Sequence, residues 1–146
     1  MKSILFVCLG NICRSPLAEG IAREYINKNN LNIDVDSCGT GNWHIGEAPC
    51  DNSIKIAAIN NVDISQQRSK QITLEDLKKY EIIIALDSSN YENLLTMGCP
   101  PNKLSKLGSY GHNNEDVPDP YFYNGFEGFE KVFEMIDFCV KELING

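Results

Sequence analysis

The stretch FVCLGNICRSPLAEG (residues 6–20) joins an apolar, β-branched run to an amphipathic segment through a short polar loop. The run ends on Cys8, the loop contains Gly10 and Asn11, and Arg14 stands just before the amphipathic segment. A strand-to-helix turn needs a glycine and a capping residue, but it needs neither that cysteine nor that arginine. The stretch therefore predicts a strand, a loop and a helix, and the two additional residues indicate that the loop does chemistry.

Strand-like and helical patterns alternate along the rest of the chain. The predicted strands are residues 3–8, 32–38, 82–86 and 103–108, and the predicted helices are residues 16–28, 50–60, 74–79, 89–97 and 126–143. Pro16 suits the first position of its helix, and Thr73 with Asp76 resembles a capping box. The alternation predicts an α/β fold, a four-stranded parallel twisted sheet with helices on both faces, in a single domain of residues 1–146. Ligands bind at the carboxyl ends of such strands, which is where Cys8 lies.

The composition is that of an ordinary globular protein, with 42% hydrophobic and 23% charged residues. A net charge of −7 argues against nucleic acid as a partner. The apolar stretches are shorter than the about 18 residues that suggest a membrane span, and the N-terminus lacks a signal-peptide pattern. We therefore expect no membrane partner, and any anion site must be built locally against the overall charge.

The six cysteines are scattered through apolar segments and lack the spacing of a disulfide scaffold. No Cys-x-x-Cys is present, and neither His44 nor His112 has a second ligand at metal spacing. A reducing cytoplasm, with no bound metal and no cofactor, is the simplest setting. Four cysteines are interpreted as small buried hydrophobic residues: Cys38, Cys50, Cys99 and Cys139.

The loop from Cys8 to Ser15 has the features of an anion cradle. Gly10 can adopt a positive φ and Asn11 tolerates the left-handed region, so successive N–H groups can point inward. The following helix adds the positive end of its dipole, and Arg14 adds a fork-shaped cation. The pattern lacks the lysine of a nucleotide-binding loop and the three glycines of a dinucleotide site. The field that holds a phosphate also stabilises a thiolate, so Cys8 would be a nucleophile facing the bound phosphate.

This loop resembles the signature of the low-molecular-weight protein tyrosine phosphatases, a cysteine, five residues and Arg-Ser. The resemblance covers nearly the whole chain, because other family motifs follow in the same order: DSCG (36–39), Trp43, LDSSN (86–90), LGSY (107–110) and DPYF (119–122). It implies a phosphate-binding loop between the first strand and the first helix. The binding residues it implies are Leu9, Gly10, Asn11, Ile12, Cys13 and Ser15.

Further roles follow from the resemblance. Cys8 would form a phosphocysteine intermediate, and Arg14 would bind two phosphate oxygens through the transition state. Ser15 would donate a hydrogen bond to the thiolate, unless it serves only as the helix N-cap. Asn11 would brace the loop, with Ser37 as its partner.

Other residues match family positions with two interpretations open. Asp87 would support the loop, although helix capping explains it almost as well. Cys13 would form a reversible disulfide with Cys8 that protects the nucleophile, or it is simply a buried thiol. Trp43 and Tyr121 would form opposite walls of a cleft for aromatic phosphoesters.

A general acid is required because the phenolate leaving group has a pKa of about 10. The candidates are Glu115, Asp116 and Asp119. Only Asp119 is flanked by Pro118 and Pro120, which restrict the backbone and fix the direction of its side chain. The family's Asp-Pro-Tyr motif points to the same residue.

Two positions depart from the family pattern. Gln67 stands where the family often has a histidine, so it must replace that side chain if the histidine braces the loop through Asn11. Cys38 replaces the usual small alanine. The change at Gln67 puts the strength of the network behind the loop in doubt.

The resemblance predicts hydrolysis of phosphotyrosine in proteins. It implies a phosphotyrosine-containing protein as the partner, with a tyrosine kinase among the candidates. It also implies that phosphate and other oxyanions are inhibitors. One alternative is a protein-arginine phosphatase, which usually carries threonine in place of Ile12. Another is a thioredoxin-coupled arsenate reductase, which needs two further cysteines downstream, whereas residues 73–98 contain none. A phosphopeptide-binding module would have lost Cys8, Arg14 or Asp119, and all three are present.

Overall fold

The computed structural model describes residues 2–123 and 125–146. Within these residues it contains four β-strands and five α-helices, joined by short 3₁₀ turns. Their order is β1 Lys2–Cys8, α1 Arg14–Lys28, β2 Ile33–Gly39, α2 Asp51–Ile59, α3 Leu74–Lys79, β3 Ile82–Ala85, α4 Ser88–Thr96, β4 Leu104–Lys106 and α5 Glu127–Asn145.

The four strands form one parallel sheet in the order β2-β1-β3-β4. At the carboxyl end of β1, Cys8 pairs with Gly39 of β2, and Val7 pairs with Ala85 of β3. The chain moves from β1 to one side for β2 and to the other side for β3. This reversal makes the end of β1 a topological switch point, where ligands bind in open α/β sheets.

Strand β1 separates two hydrophobic layers because its side chains alternate between the faces of the sheet. Ile4, Phe6 and Cys8 belong to a core shared with α1, α2 and α5. Leu5 and Val7 belong to a second core, shared with α3 and α4. The predicted four-stranded parallel sheet with helices on both faces is therefore confirmed.

Most predicted boundaries lie within two residues of the observed ones. Helix α1 begins at Arg14 rather than Pro16, so Pro16 occupies the third helical position, where a missing N–H is also harmless. Ser15 lies inside the helix, and the alternative that made it the N-cap is wrong. The capping box of α3 is confirmed, because Thr73 and Asp76 exchange side-chain and backbone hydrogen bonds.

The burial of the cysteines differs from the prediction at one position. Cys38, Cys99 and Cys139 are buried as expected. Cys50 is only partly buried, and its sulfur contacts that of Cys13. The interpretation of Cys50 as a buried hydrophobic residue is therefore wrong. Among the residues that the structure describes, no helix has both the length and the apolar character needed to cross a bilayer.

Candidate active site

The loop between β1 and α1 directs its carbonyl groups outward, into the surrounding protein. Five of these carbonyls accept hydrogen bonds: Cys8 O from Thr40 N (3.0 Å), Leu9 O from Gly41 N (2.9 Å), Gly10 O from Ser69 Oγ (2.9 Å), Ile12 O from Cys50 N (2.8 Å) and Cys13 O from Ser53 Oγ (3.2 Å). In a planar trans peptide the C=O and the next N–H point in opposite directions. The N–H groups of residues 9, 10, 11, 13 and 14 therefore face the centre of the loop, as an anion cradle requires.

Two residues make this conformation possible. Asn11 has a φ of 56°, in the left-handed region that asparagine tolerates. Gly39 lies against the loop so closely that a Cβ there would stand 2.6 Å from Leu9 O. The glycine of the DSCG motif is thus needed for the loop to pack on the end of β2.

The sulfur of Cys8 lies at the base of the loop. The residue is only 3% exposed, its Sγ is 2.9 Å from Ser15 Oγ, and the Asn11 N–H donates to it at 3.2 Å. Ser15 Oγ accepts a hydrogen bond from Asn11 Nδ2 at 2.8 Å, which leaves its proton free to be donated to Cys8 Sγ when that sulfur is a thiolate. Both contacts stabilise negative charge on the sulfur.

Asn11 connects the loop to the sheet through its side chain. Its Nδ2 also donates to Ser37 Oγ at 3.0 Å, so the predicted partner lies in place. Ser37 in turn donates to the buried carboxylate of Glu19 at 2.7 Å. The Asn11 Oδ1 accepts from the backbone N–H of Lys70 at 3.1 Å.

Gln67 does not replace the family's histidine at Asn11. Its Nε2 donates instead to the carbonyl of Pro16 at 3.1 Å. The expectation that Gln67 takes the place of the histidine at Asn11 is therefore wrong. The Lys70 N–H and the Glu19–Ser37 pair complete the network that braces Asn11 instead.

Two hydrogen bonds hold one edge of the Arg14 guanidinium. Its Nη1 donates to Asp87 Oδ2 and to the carbonyl of Val117, both at 2.8 Å. The Asp87 Oδ1 also caps α4 by accepting from Asn90 N at 2.8 Å. The two interpretations of Asp87 are thus compatible, since one carboxylate caps a helix and orients the arginine.

Of the three acid candidates, only Asp119 lines the same cleft as Cys8. Its Oδ1 accepts from the Tyr121 N–H at 2.9 Å, which orients the carboxylate at the start of a 3₁₀ turn. Partial burial alone would raise the pKa of Asp116, but hydrogen bonds from Lys106 and Ser88 hold that pKa below its usual range.

The other two candidate carboxylates are engaged with other side chains. Asp116 pairs with Lys106 at 2.8 Å, and Glu115 contacts His112 at 2.9 Å. Neither carboxylate lines the cleft that contains the cysteine.

The cleft has a volume of about 220 Å³. Its lining includes most of the predicted residues: Cys8, Leu9, Gly10, Ile12, Cys13, Arg14, Trp43, Asp119 and Tyr121. Trp43 and Tyr121 remain 66% and 63% exposed, which leaves ring surface available to a ligand. The Tyr121 ring is held edge-on against Phe129, with centroids 5.2 Å apart. The other predicted residues, Asn11, Ser15, Ser37 and Asp87, support the loop from behind.

Sequence reasoning missed several residues of the site. His44 lines the cleft beside Trp43, and its ring lies next to Gly10. Lys70 and Glu19 brace Asn11, as described above. Adjacency to Trp43 was an available signal for His44, whereas a backbone N–H leaves no signal in the sequence. No group of three potential metal-binding side chains occurs within residues 2–123 and 125–146.

Comparisons with known proteins agree with this geometry. Residues 3–146 match the family described as "Low molecular weight phosphotyrosine protein phosphatase". The low molecular weight protein-tyrosine-phosphatase PtpA of Staphylococcus haemolyticus is 40% identical over 152 aligned residues, which cover 97% of this chain and 96% of that protein.

Two solved structures are similar over almost their full length. YfkJ from Bacillus subtilis has a TM-score of 0.90 at 36% identity, over 99% of this chain and 93% of that chain. DARP, described as a Drosophila arginine phosphatase, has a TM-score of 0.90 at 31% identity, over 99% of this chain and 96% of that chain.

Proposed function

Because the chain belongs to the low molecular weight phosphotyrosine protein phosphatase family, it is an enzyme of the protein-tyrosine-phosphatase class, and we propose that it hydrolyses phosphotyrosine through a phosphocysteine on Cys8. The observation that supports this most strongly is the outward direction of five carbonyls around a single sulfur. This arrangement leaves the N–H groups for the three non-bridging phosphate oxygens. It also leaves the sulfur as the reactive atom beneath them.

In the first step, the Cys8 thiolate attacks phosphorus opposite the phenolic oxygen. The S–P bond forms as the P–O bond breaks, and Asp119 gives its proton to the departing phenolate. The loop N–H groups and the guanidinium of Arg14 stabilise the charge on the transferring oxygens. Asp87 and the Val117 carbonyl fix the orientation of that guanidinium.

In the second step, the Asp119 carboxylate takes a proton from water as the water attacks phosphorus. The S–P bond then breaks, and Cys8 leaves as a thiolate that Ser15 and the Asn11 N–H stabilise. Phosphate is released from the cradle. Phosphate and other tetrahedral oxyanions would therefore inhibit the enzyme by occupying the same N–H groups.

The depth of the cysteine favours phosphotyrosine over phosphoserine. Phosphorus must come within about 3–3.5 Å of the sulfur, and Cys8 is only 3% exposed. The stem of phosphoserine is too short for this depth, whereas the phenyl ring of phosphotyrosine spans it. Stacking on Trp43 or Tyr121 adds roughly 0.5–1.5 kcal/mol beyond burial of area. We propose a phosphotyrosine protein as the substrate, a tyrosine kinase included among the candidates.

Phosphoarginine is the second candidate substrate. The likeness to DARP at 31% identity favours it, and its side chain is long enough to reach Cys8. Ile12 opposes it, because a β-branched apolar residue offers no hydroxyl to the guanidinium leaving group. The preference for phosphotyrosine over phosphoarginine therefore depends on this one loop side chain.

A substrate panel and one variant test the proposal. Phosphotyrosine, phosphoarginine and phosphoserine peptides are assayed side by side, and we expect hydrolysis to decrease in that order. Cys8→Ser should abolish turnover while vanadate binding, measured by calorimetry, persists, because the cradle consists of backbone and Arg14. Appreciable residual turnover would remove Cys8 from the nucleophilic role.

A further inference from the structure

The sulfur of Cys13 faces Cys50, a residue 37 positions away in the sequence. The two Sγ atoms are 2.7 Å apart, well inside the contact distance of two unbonded sulfurs. A disulfide bond is about 2.05 Å long, so only a small displacement separates this contact from a covalent bond.

The backbone holds the two cysteines in this position. Cys50 N donates to the carbonyl of Ile12 at 2.8 Å, and Ser53 Oγ donates to the carbonyl of Cys13 at 3.2 Å. Both are among the bonds that turn the loop carbonyls outward. These two hydrogen bonds therefore hold the start of α2 against the phosphate loop, next to the two sulfurs.

The electrostatic setting favours a shared negative charge on the pair. Cys13 is the N-cap of α1 and Cys50 is the N-cap of α2, so the positive ends of two helix dipoles meet there. The hydrogen bond from Cys13 lowers the pKa of Cys50 to about 6, against the opposing effect of burial. The same hydrogen bond, with burial, raises the pKa of Cys13. Negative charge on the pair is therefore favoured on Cys50, and the proton on Cys13.

Cys8 is directed elsewhere. Its sulfur contacts Ser15 Oγ and the Asn11 N–H, and it is buried at the base of the cleft. Cys13 and Cys50 are each partly exposed. Within the described part of the chain, Cys50 is the cysteine that Cys13 contacts through a sulfur-sulfur hydrogen bond.

We propose that Cys13 and Cys50 are the redox-active pair of this protein, and that peroxide converts them to a disulfide while Cys8 stays a free thiol. Cys13 is then the resolving thiol of Cys50. This assignment differs from the Cys8–Cys13 disulfide that the family resemblance implies.

The chemistry balances with hydrogen peroxide as the oxidant. The Cys50 thiolate attacks one peroxide oxygen, the O–O bond breaks, and the departing hydroxide takes from solvent the proton that Cys50 had released and leaves as water. Cys50 is then a sulfenic acid. The Cys13 sulfur attacks the Cys50 sulfur, the S–O bond breaks, and hydroxide leaves with the Cys13 proton as a second water. Two thiols and one peroxide give one disulfide and two waters.

The disulfide would add a covalent bond between segments that two hydrogen bonds already join. We therefore expect the cradle to keep its shape and the oxidised enzyme to keep its activity. This expectation about activity rests on the proposed phosphatase function. The identity of the cross-linked cysteines does not depend on it.

The test is a disulfide map of the full-length protein. Reduced, dilute enzyme is treated with one equivalent of hydrogen peroxide, free thiols are blocked with N-ethylmaleimide under denaturing conditions so that buried cysteines also react, and the non-reduced digest is analysed by mass spectrometry. Aryl phosphatase activity is measured on the same sample before and after dithiothreitol. Cys50→Ser removes the proposed partner, and Cys99→Ser is the matched control at a buried cysteine outside the cleft.

We expect a Cys13–Cys50 cross-link in the wild type and in Cys99→Ser, and its loss in Cys50→Ser. In the wild type Cys8 should be alkylated, and activity should fall by less than about twofold. A Cys8–Cys13 cross-link with Cys50 alkylated would overturn the proposal, as would alkylation of both Cys13 and Cys50 after oxidation. A Cys13–Cys50 cross-link in a protein without phosphatase activity would retain the redox pair and refute the proposed function instead.

Discussion

The substitution Asn11→Ala should separate the backbone role of Asn11 from the role of its side chain. The side chain makes three hydrogen bonds, to Ser15 Oγ, to Ser37 Oγ and from the Lys70 N–H, and the residue is 3% exposed. Alanine removes all three bonds and keeps the left-handed backbone, with a φ of 56°.

The expected loss of stability has two parts. Three hydrogen bonds at about 0.5–1.5 kcal/mol each amount to about 1.5–4.5 kcal/mol. The left-handed conformation costs alanine about 1–2 kcal/mol, a cost that is smaller for asparagine. The total of about 2.5–6.5 kcal/mol is smaller than the middle of the range of unfolding free energies for a domain of this type, about 5–15 kcal/mol, so the variant should still fold.

Asn30→Ala is the matched control. Asn30 has a φ of 54° and is exposed, and its side chain makes no hydrogen bond to any residue that the structure describes. Urea unfolding should therefore show Asn11→Ala less stable than Asn30→Ala by about 1.5–4.5 kcal/mol, the contribution of the three hydrogen bonds. Equal losses in the two variants would refute the idea that the side-chain network, rather than the backbone conformation, stabilises the loop.

Activity should separate the same two variants. Asn11 Nδ2 holds the Ser15 hydroxyl that contacts Cys8 Sγ, so Asn11→Ala should let the hydroxyl and the sulfur move. A displacement of about 1 Å can cost about 10²-fold in rate. We expect kcat/KM for an aryl phosphate to fall by about that factor in Asn11→Ala and to be unchanged in Asn30→Ala.

Two further substitutions test the acid and the substrate class. Asp119→Ala should slow phosphotyrosine hydrolysis by about 10²–10⁴-fold and have far less effect on aryl phosphates whose leaving groups need no proton. An equal loss for both kinds of substrate would assign Asp119 a structural role, which its hydrogen bond to the Tyr121 N–H could supply. Ile12→Thr should shift the ratio of phosphotyrosine to phosphoarginine hydrolysis towards phosphoarginine, as measured by phosphate release from matched peptides. A ratio that does not change would show that residue 12 does not determine the substrate.

The parts of the fold and the site that are local in sequence could be predicted. The strand, loop and first helix lie within residues 2–28, so periodicity and the position of Cys8 were sufficient signals. The positive φ considered for Gly10 is not observed, and in this loop Asn11 adopts it instead. Asp119 could be selected because its neighbouring prolines act on the backbone directly. The boundary of α1 was misplaced because Pro16 is tolerated throughout the first turn of a helix, and not only at its first position.

Contacts across the fold could not be predicted in the same way. Gln67 was expected at Asn11 because it stands where the family often has a histidine, but the backbone carries its side chain to the Pro16 carbonyl. The group that reaches Asn11 is the Lys70 N–H, which every residue except proline possesses. Cys50 lies in a segment whose packing is set by the hydrogen bond from its own backbone N–H to Ile12 O, and no spacing rule relates it to Cys13.

The overall charge of −7 explains why the cradle must be built from the backbone. Arg14 is the cation of the loop, yet Asp87 pairs with it at 2.8 Å and offsets much of its charge. Positive potential at the centre therefore depends on inward N–H groups and on the N-terminus of α1. Those N–H groups point inward only because Thr40, Gly41, Cys50, Ser53 and Ser69 bind the carbonyls on the outside. The chemistry of an eight-residue loop is thus set by donors from three distant segments of the chain, and Cys50 belongs to one of them.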